Sequence, residues 1–382
     1  MNTAGYFDYN ATTPLDPRVL EEMLPFFSER FANPSSAYRQ GCDALGAVET
    51  ARTRVARLLN ADPSEILFTS GGTESDNLAL FGAARRLVKK GNHLITSAIE
   101  HKAVLNSCRQ LEKEGFDLTV LPVDGNGLVD PDDLRRAIRK DTILISIMQA
   151  SNETGVIQPV RELAALAHEQ GILFHADAVQ TVGKIPVDVS ELGVDLLSLS
   201  AHKIYGPKGT GALYVRRDVV IAPMMFGGGQ ENKRRPGTEN VTGLVGLGKA
   251  AEIAMHEMAD DARRVGEMRT RLEKELRTLF PKIRLNGSGA LRTPNTLNVS
   301  IPGCDGSVLV AFLDGAGIAL SSGSACSAKS RAASPVLLAM GRSEDEAIES
   351  LRISLGRFST DADMERLLAE LPLAVQRLQS QL

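Results

Sequence analysis

Ser200-Ala-His-Lys203-Ile-Tyr-Gly-Pro-Lys-Gly209 is the stretch from which the rest of the chain is read. An apolar run, Val194-Asp-Leu-Leu-Ser-Leu199, leads into it. Lys203 therefore sits at the mouth of a strand, on a loop that turns at Gly206-Pro207. Burial there disfavours the ammonium form and leaves an amine able to act as a nucleophile. Ser200 and His202 beside it can donate hydrogen bonds to an anion. The plain alternative is a solvated loop lysine, because most lysines are exposed. The flanking stretches weigh between the two.

Outward from Lys203, apolar runs rich in β-branched residues recur at 66–69, 94–97, 118–123, 142–148, 173–176, 196–199 and 212–215. Amphipathic stretches lie between most of them, as at 74–90, 102–113, 131–139 and 160–170. This alternation predicts a mainly parallel sheet with helices on both faces. Before it, residues 5–17 read as a short strand-like piece and a polar turn. Helices follow from Pro17 and from about Arg39. After Gly243 a helical tract over 244–279 leads to a smaller unit. That unit has strands near 295–301 and 351–354, helices near 306–313 and 343–349, and a C-terminal helix from Asp361.

In such sheets ligands bind at the carboxyl ends of the strands, so those loops are the ones to read. Ser70-Gly-Gly-Thr-Glu-Ser75 opens a helix after a strand. Glycine there lets backbone N–H groups and the helix dipole hold a single phosphate, with Thr73 adding a hydroxyl. A plain glycine turn capped by Thr73 is the alternative. No G-x-G-x-x-G or Walker pattern is present, so no dinucleotide or nucleoside triphosphate is implied. His101 follows the next strand, as a helix cap, a surface histidine, a proton shuttle or a lid on an aromatic ring. Asn152 is a short polar reader or a turn residue before Gly155. Asp177 ends an apolar strand, where a carboxylate is costly unless paired. Pyridoxal phosphate sites pair an Asp with the ring nitrogen and a Lys with the aldehyde carbon. Asp177 and Lys203 are one strand–helix–strand unit apart, so neighbouring strands can aim both at one ring. The basic, glycine-rich loop 226–238 can reach a phosphate, in its own or a neighbouring subunit. Cys326 stands among small residues with Lys329 and Arg331 nearby, which favour a thiolate. Arg352 lies on an alternating strand and needs an anion, either a substrate carboxylate or a structural partner.

Composition excludes several classes. The formal net charge of -4 over 382 residues leaves no basic surplus for nucleic acid or a membrane surface. No segment reaches the ~18–20 apolar residues of a membrane helix, and the N-terminus lacks a signal-peptide pattern. The four cysteines, Cys42, Cys108, Cys304 and Cys326, form no C-x-x-C. Neither a disulfide framework nor a metal cluster is predicted, and a reducing cytoplasm fits.

In order and spacing these motifs resemble the NifS/IscS-type cysteine desulfurases, in the class V aminotransferase group of fold-type I pyridoxal phosphate enzymes. The likeness runs from Tyr6-Phe-Asp-Tyr-Asn-Ala-Thr-Thr through Asn33-Pro-Ser-Ser, Ser70-Gly-Gly-Thr-Glu-Ser, Glu100-His-Lys-Ala-Val, His175-Ala-Asp-Ala-Val-Gln, Ser200-Ala-His-Lys and Arg235-Pro-Gly-Thr to Ser322-Gly-Ser-Ala-Cys and Arg352-Ile-Ser-Leu-Gly-Arg. It implies a mainly parallel seven-stranded sheet in a large cofactor-binding domain, 15–255, and a small α+β domain, 1–14 with 256–382.

The resemblance also implies roles. Lys203 binds pyridoxal 5'-phosphate covalently and later moves protons. Asp177 holds the pyridinium nitrogen, Gln180 reaches the ring hydroxyl, and His101 stacks on the ring. Gly72, Thr73, Ser200 and His202 hold the phosphate, with Thr238 arriving from the other subunit of a homodimer. Asn33, Asn152 and Arg352 bind the substrate L-cysteine, and Cys326 takes its sulfur for a NifU/IscU-like scaffold or another acceptor. An aminotransferase or selenocysteine/cysteine lyase on the same fold, or a silent sulfur-transfer scaffold, are the rival readings. Tyr38 stands where the family often has histidine, and Ser151 replaces a common asparagine. Leu382 ends the chain without the longer tail that IscS enzymes use near their scaffold. These departures touch the choice of sulfur acceptor and leave the chemistry intact.

Overall fold

The β-branched runs pair into one sheet. In the computed structural model, which describes residues 3–323 and 333–380, they are β1 (Ile66–Thr69), β2 (His93–Ser97), β3 (Asp117–Leu121), β4 (Thr142–Ser146), β5 (Leu173–Asp177), β6 (Leu196–Ser200) and β7 (Gly211–Val215). Their spatial order is β1-β7-β6-β5-β4-β2-β3. All seven runs read from the sequence are strands. From β3 to β6 every pairing is parallel, while β7 runs antiparallel to both β6 and β1. The exception has a simple cause. A parallel crossover needs a dozen or more residues, usually a helix. Residues 201–210 supply only a short 3-10 turn and a bend.

Helices cover both faces of this sheet, so its central strands are apolar on both sides. Ile145, Phe174 and Leu197 belong to one buried cluster. Ile143, Leu144 and Leu196 belong to the opposite one. Only the edge strand β3 is largely exposed.

The helix Val241–Leu279 runs 39 residues, ~58 Å at 1.5 Å per residue. Its first half buries Leu247, Ala251 and Ile253 in the large core. From Val265 to Leu276 it packs in a separate core. Residues 254–264 belong to neither cluster. That second core backs an antiparallel sheet of β8 (Arg284–Leu285), β9 (Thr296–Ser300), β10 (Ser321–Ser322) and β11 (Ser350–Ser354), in the order β10-β11-β9-β8. Sequence reading finds β9 and β11. The two-residue strands β8 and β10 are too short to show a period.

The N-terminal segment is not a full strand. It makes isolated bridges, Tyr6 with Ala319 and Asp8 with Ser354, and buries Phe7 in the small core. Its next residues then reach the large domain, where Thr13 N donates to the His202 carbonyl at 2.9 Å.

Candidate active site

The carboxyl ends of β1, β2, β4, β5 and β6 open on one pocket of about 310 Å³. Each strand contributes through the loop that follows it. After β1 the chain turns at Gly71, whose φ of 147° is available to glycine and strained for other residues. A Cβ on Gly211, at the start of β7, would lie 2.6 Å from the Gly71 Cα. Two glycines thus let this loop lie flat on β7, and Gly72 and Thr73 of the helix Gly72–Leu87 line the pocket. Ser200 and His202 border the same end. His202 is held by Thr12, with 3.1 Å between Nδ1 and Oγ1, and burial, followed by the charge of Lys203, pushes its pKa down to about 4. It is a neutral donor or acceptor at pH 7.

Asp177 and Lys203 come from neighbouring strands, with Asp177 in register with Ser198 of β6. Both line the pocket. Lys203 Nζ donates to the Asn10 carbonyl at 2.5 Å and the Ala11 carbonyl at 2.8 Å. Asp177 Oδ1 accepts from the Val179 N–H at 2.9 Å. Burial raises the Asp177 pKa, opposed by His101, by that N–H and by Lys203. Beside it lies a second carboxylate, Asp76. Acceptor atoms of Asp76, His101 and Asp177 all fall within 4.8 Å of one another. Two negative charges that close would repel by ~3 kcal/mol at an effective dielectric of ~20. Burial and Asp177 push Asp76 well above the usual carboxylate range. The Lys203 charge and the Val179 N–H act on Asp177 and not on Asp76, so of the pair Asp177 is the one favoured in the ionised form. His175, on β5 itself, is bonded to Ser146 and Ser198. Burial pushes its pKa down to about 3, so it stays neutral.

His101 caps the helix Lys102–Lys113, with Nδ1 accepting from the Ala103 N–H at 3.2 Å. It realises the cap reading and still faces the pocket. Gln180 Nε2 donates to the Asn10 carbonyl at 3.0 Å. Arg352 reaches in from the small domain on β11, almost wholly buried. Its Nη2 donates to Asp8 Oδ1 at 2.6 Å and its Nη1 to the Asn152 carbonyl at 3.1 Å, while Nε has no hydrogen-bond partner. It has a structural anion in Asp8 and also lines the pocket. Asn33 and Thr238 are exposed and do not line this chain's pocket. Cys326 lies outside the described residues.

Comparison with known proteins follows the same lines. The family described as aminotransferase class-V matches residues 5–367. The chain belongs to that family. The chain is 50% identical over 380 residues to the cysteine desulfurase IscS of Dictyoglomus turgidum, covering 100% of this chain and 96% of that one. It is 50% identical over 379 residues to the IscS of Methanosarcina thermophila, covering 99% and 94%. Among solved structures, a NifS-like protein matches with a TM-score of 0.92 and 41% identity over 98% of this chain and 100% of that one. SspA in complex with cysteine matches with a TM-score of 0.82 and 40% identity over 93% and 100%. The NifS/IscS resemblance and the fold-type I architecture predicted from the motifs therefore both hold.

Three residues of this class-V site went unread in the sequence. Asp76 sits one helical turn beyond Thr73, a spacing that puts both on one helix face. Asn10 binds Lys203, Gln180 and Lys184 together. Lys184 lies four residues beyond Gln180, with no local signal that it turns inward.

Proposed function

We propose that the chain is a pyridoxal-phosphate-dependent cysteine desulfurase, converting L-cysteine to L-alanine and placing the sulfur on Cys326 as a persulfide. The observation that carries this is the convergence of Lys203 and Asp177, from adjacent strands, on a pocket that Arg352 closes from the other domain. The donor set fits the cofactor. There is an amine for an aldehyde, an ionised carboxylate for a ring nitrogen, and a glycine-lined helix start with Thr73, Ser200 and His202 for a phosphate. The space above Gly72 would be filled by a side chain, since a Cβ there meets Val179 Cγ2 at 2.8 Å.

When bound, the cofactor ring draws electrons from the substrate Cα. The protein does the rest. Lys203 supplies the amine that holds the cofactor and, once the substrate amine replaces it, takes the Cα proton and returns it. Asp177, ionised, keeps the ring nitrogen protonated; Asp76, protonated, adds no second charge. His101 covers one ring face. Arg352 and Asn152 hold the substrate carboxylate. Cys326 then attacks the substrate sulfur, forming an S–S bond as the C–S bond breaks.

The active form in this reading is a homodimer in which the partner's loop brings its Thr238 to the phosphate. Exposed Phe27, Phe31, Tyr38 and Phe226 support a covered face. No described helix is long and apolar enough to cross a membrane. We place the enzyme in the cytoplasm, delivering sulfur to a scaffold for iron–sulfur assembly or to another thio-cofactor pathway. Mass spectrometry after incubation with L-cysteine tests the assignment. One added sulfur belongs on the peptide containing Cys326, with alanine released in parallel. Alanine and sulfide at the wild-type rate from Cys326→Ala would overturn the nucleophile.

A further inference from the structure

Lys184 is an inward-turned lysine that the reaction above does not use. Its Nζ donates to Gln180 Oε1 at 2.6 Å and to Asn10 Oδ1 at 3.1 Å. Both acceptors are neutral amides, and among the described residues no carboxylate pairs with it. A lysine carries donors and, when charged, no acceptor. Even uncharged it has two N–H bonds for these two oxygens. In the structure it donates to both, so an oxygen of each amide faces it. The Gln180 amide is therefore polarised along one direction, with Oε1 toward Lys184 and Nε2 toward the pocket side. There Nε2 spends one hydrogen on the Asn10 carbonyl at 3.0 Å and keeps a second.

The same lysine orients Asn10. Its Oδ1 takes Lys184 and Asn295 Nδ2, at 3.1 and 2.9 Å. Its Nδ2 is thereby turned to the Asn152 carbonyl and Thr296 Oγ1, at 3.2 and 2.8 Å. The Asn10 backbone carbonyl is left for Lys203 and Gln180. Burial, then the charges of Lys203 and Arg352, holds the Lys184 pKa well below the ordinary lysine value.

We propose that Lys184 is a positioning residue for the cofactor: it locks Gln180 as a hydrogen-bond donor toward the ring oxygen next to the aldehyde, so that this oxygen stays anionic at neutral pH. This rests on the pyridoxal phosphate reading above. Without Lys184, the Gln180 oxygen loses its partner, and the amide can turn that oxygen toward the ring. A carbonyl facing the ring oxygen favours its protonated form. The linkage between Lys203 and the cofactor then holds its proton to higher pH.

The test is a spectrophotometric pH titration of the purified holoenzyme, which reads the colour of the bound cofactor rather than turnover. Lys184→Met should move the midpoint of the colour change up by about one unit, a tenfold change in that proton equilibrium. It should also lower kcat more than it raises KM for L-cysteine. In a Gln180→Ala background the same substitution should add no further shift, because its effect passes through Gln180. Should Lys184→Met fold poorly, Lys184→Gln retains a donor and should keep a midpoint nearer wild type than Lys184→Ala does. An unmoved midpoint in Lys184→Met, or an equal shift with and without Gln180, would overturn the proposal. A wild-type protein that takes up pyridoxal phosphate without colour would instead overturn the functional reading beneath it.

Discussion

Lys203 and Asp177 are legible in the sequence because each stands at the end of an apolar run, where an ionisable group needs a reason to be. Asp76 is not, because its neighbours in the chain say only that a helix begins. The proposed mechanism gives the two acids opposite tasks, and substitution should separate them. Asp177→Asn leaves the ring nitrogen without its counter-charge, and alanine formation should fall by at least ~10²-fold. Asp76→Asn imitates the protonated acid, so the rate should stay within about threefold of wild type, a difference worth only ~0.65 kcal/mol. Steady-state assay of alanine compares the two. Lys203→Ala should lose the yellow colour and alanine release together, by absorbance and by amino-acid analysis of one sample.

The loop after β4 meets later segments through several buried contacts. One of them titrates. Glu153 Oε2 accepts from Ser334 Oγ at 2.5 Å, at the cap of the helix Pro335–Ala339. Burial pushes the Glu153 carboxyl from 4.5 up to about 7. Between those values the unfolded chain has lost the proton and the folded chain keeps it. Stability therefore falls as pH rises through that window, by as much as ~3 kcal/mol. Glu153→Gln should flatten the slope, measured by urea unfolding at several pH values. The glycine contact between Gly71 and Gly211 is purely steric. Gly211→Ala should cost ~1–3 kcal/mol and weaken cofactor uptake in fluorescence titration. At this scale the sequence was a good guide to long strands and helices. It was silent on β8, β10 and the helix Pro335–Ala339, which are shorter than one clear hydrophobic period and exist because tertiary contacts hold them. The antiparallel β7 was missed for another reason. Periodicity reports burial, and only the short connection over 201–210 reports direction.

For the molecule as a whole, the proposed dimer ties two surface features together. Phe226 is 89% exposed, in the same loop as Thr238. Phe226→Glu should shift sedimentation from dimer to monomer and loosen the cofactor at once; a tight dimer with intact binding would count against Thr238 acting across subunits. Asn33 and Thr238 are expected site residues that do not line the pocket. Both were named from motif resemblance, and both face outward here, away from the pocket their own chain forms.

Asn10 has a consequence for when the protein becomes competent. Its backbone N–H is held by the Ser354 Oγ at 2.9 Å, and its side chain by Asn295 and Thr296. A ribosome makes residue 10 long before residues 295, 296 and 354. The hub that seats Lys203 thus lacks its supports through most of synthesis. Capture of the proposed vitamin-derived cofactor should then wait until those later residues are made, which spares the earlier chain from fixing a reactive aldehyde.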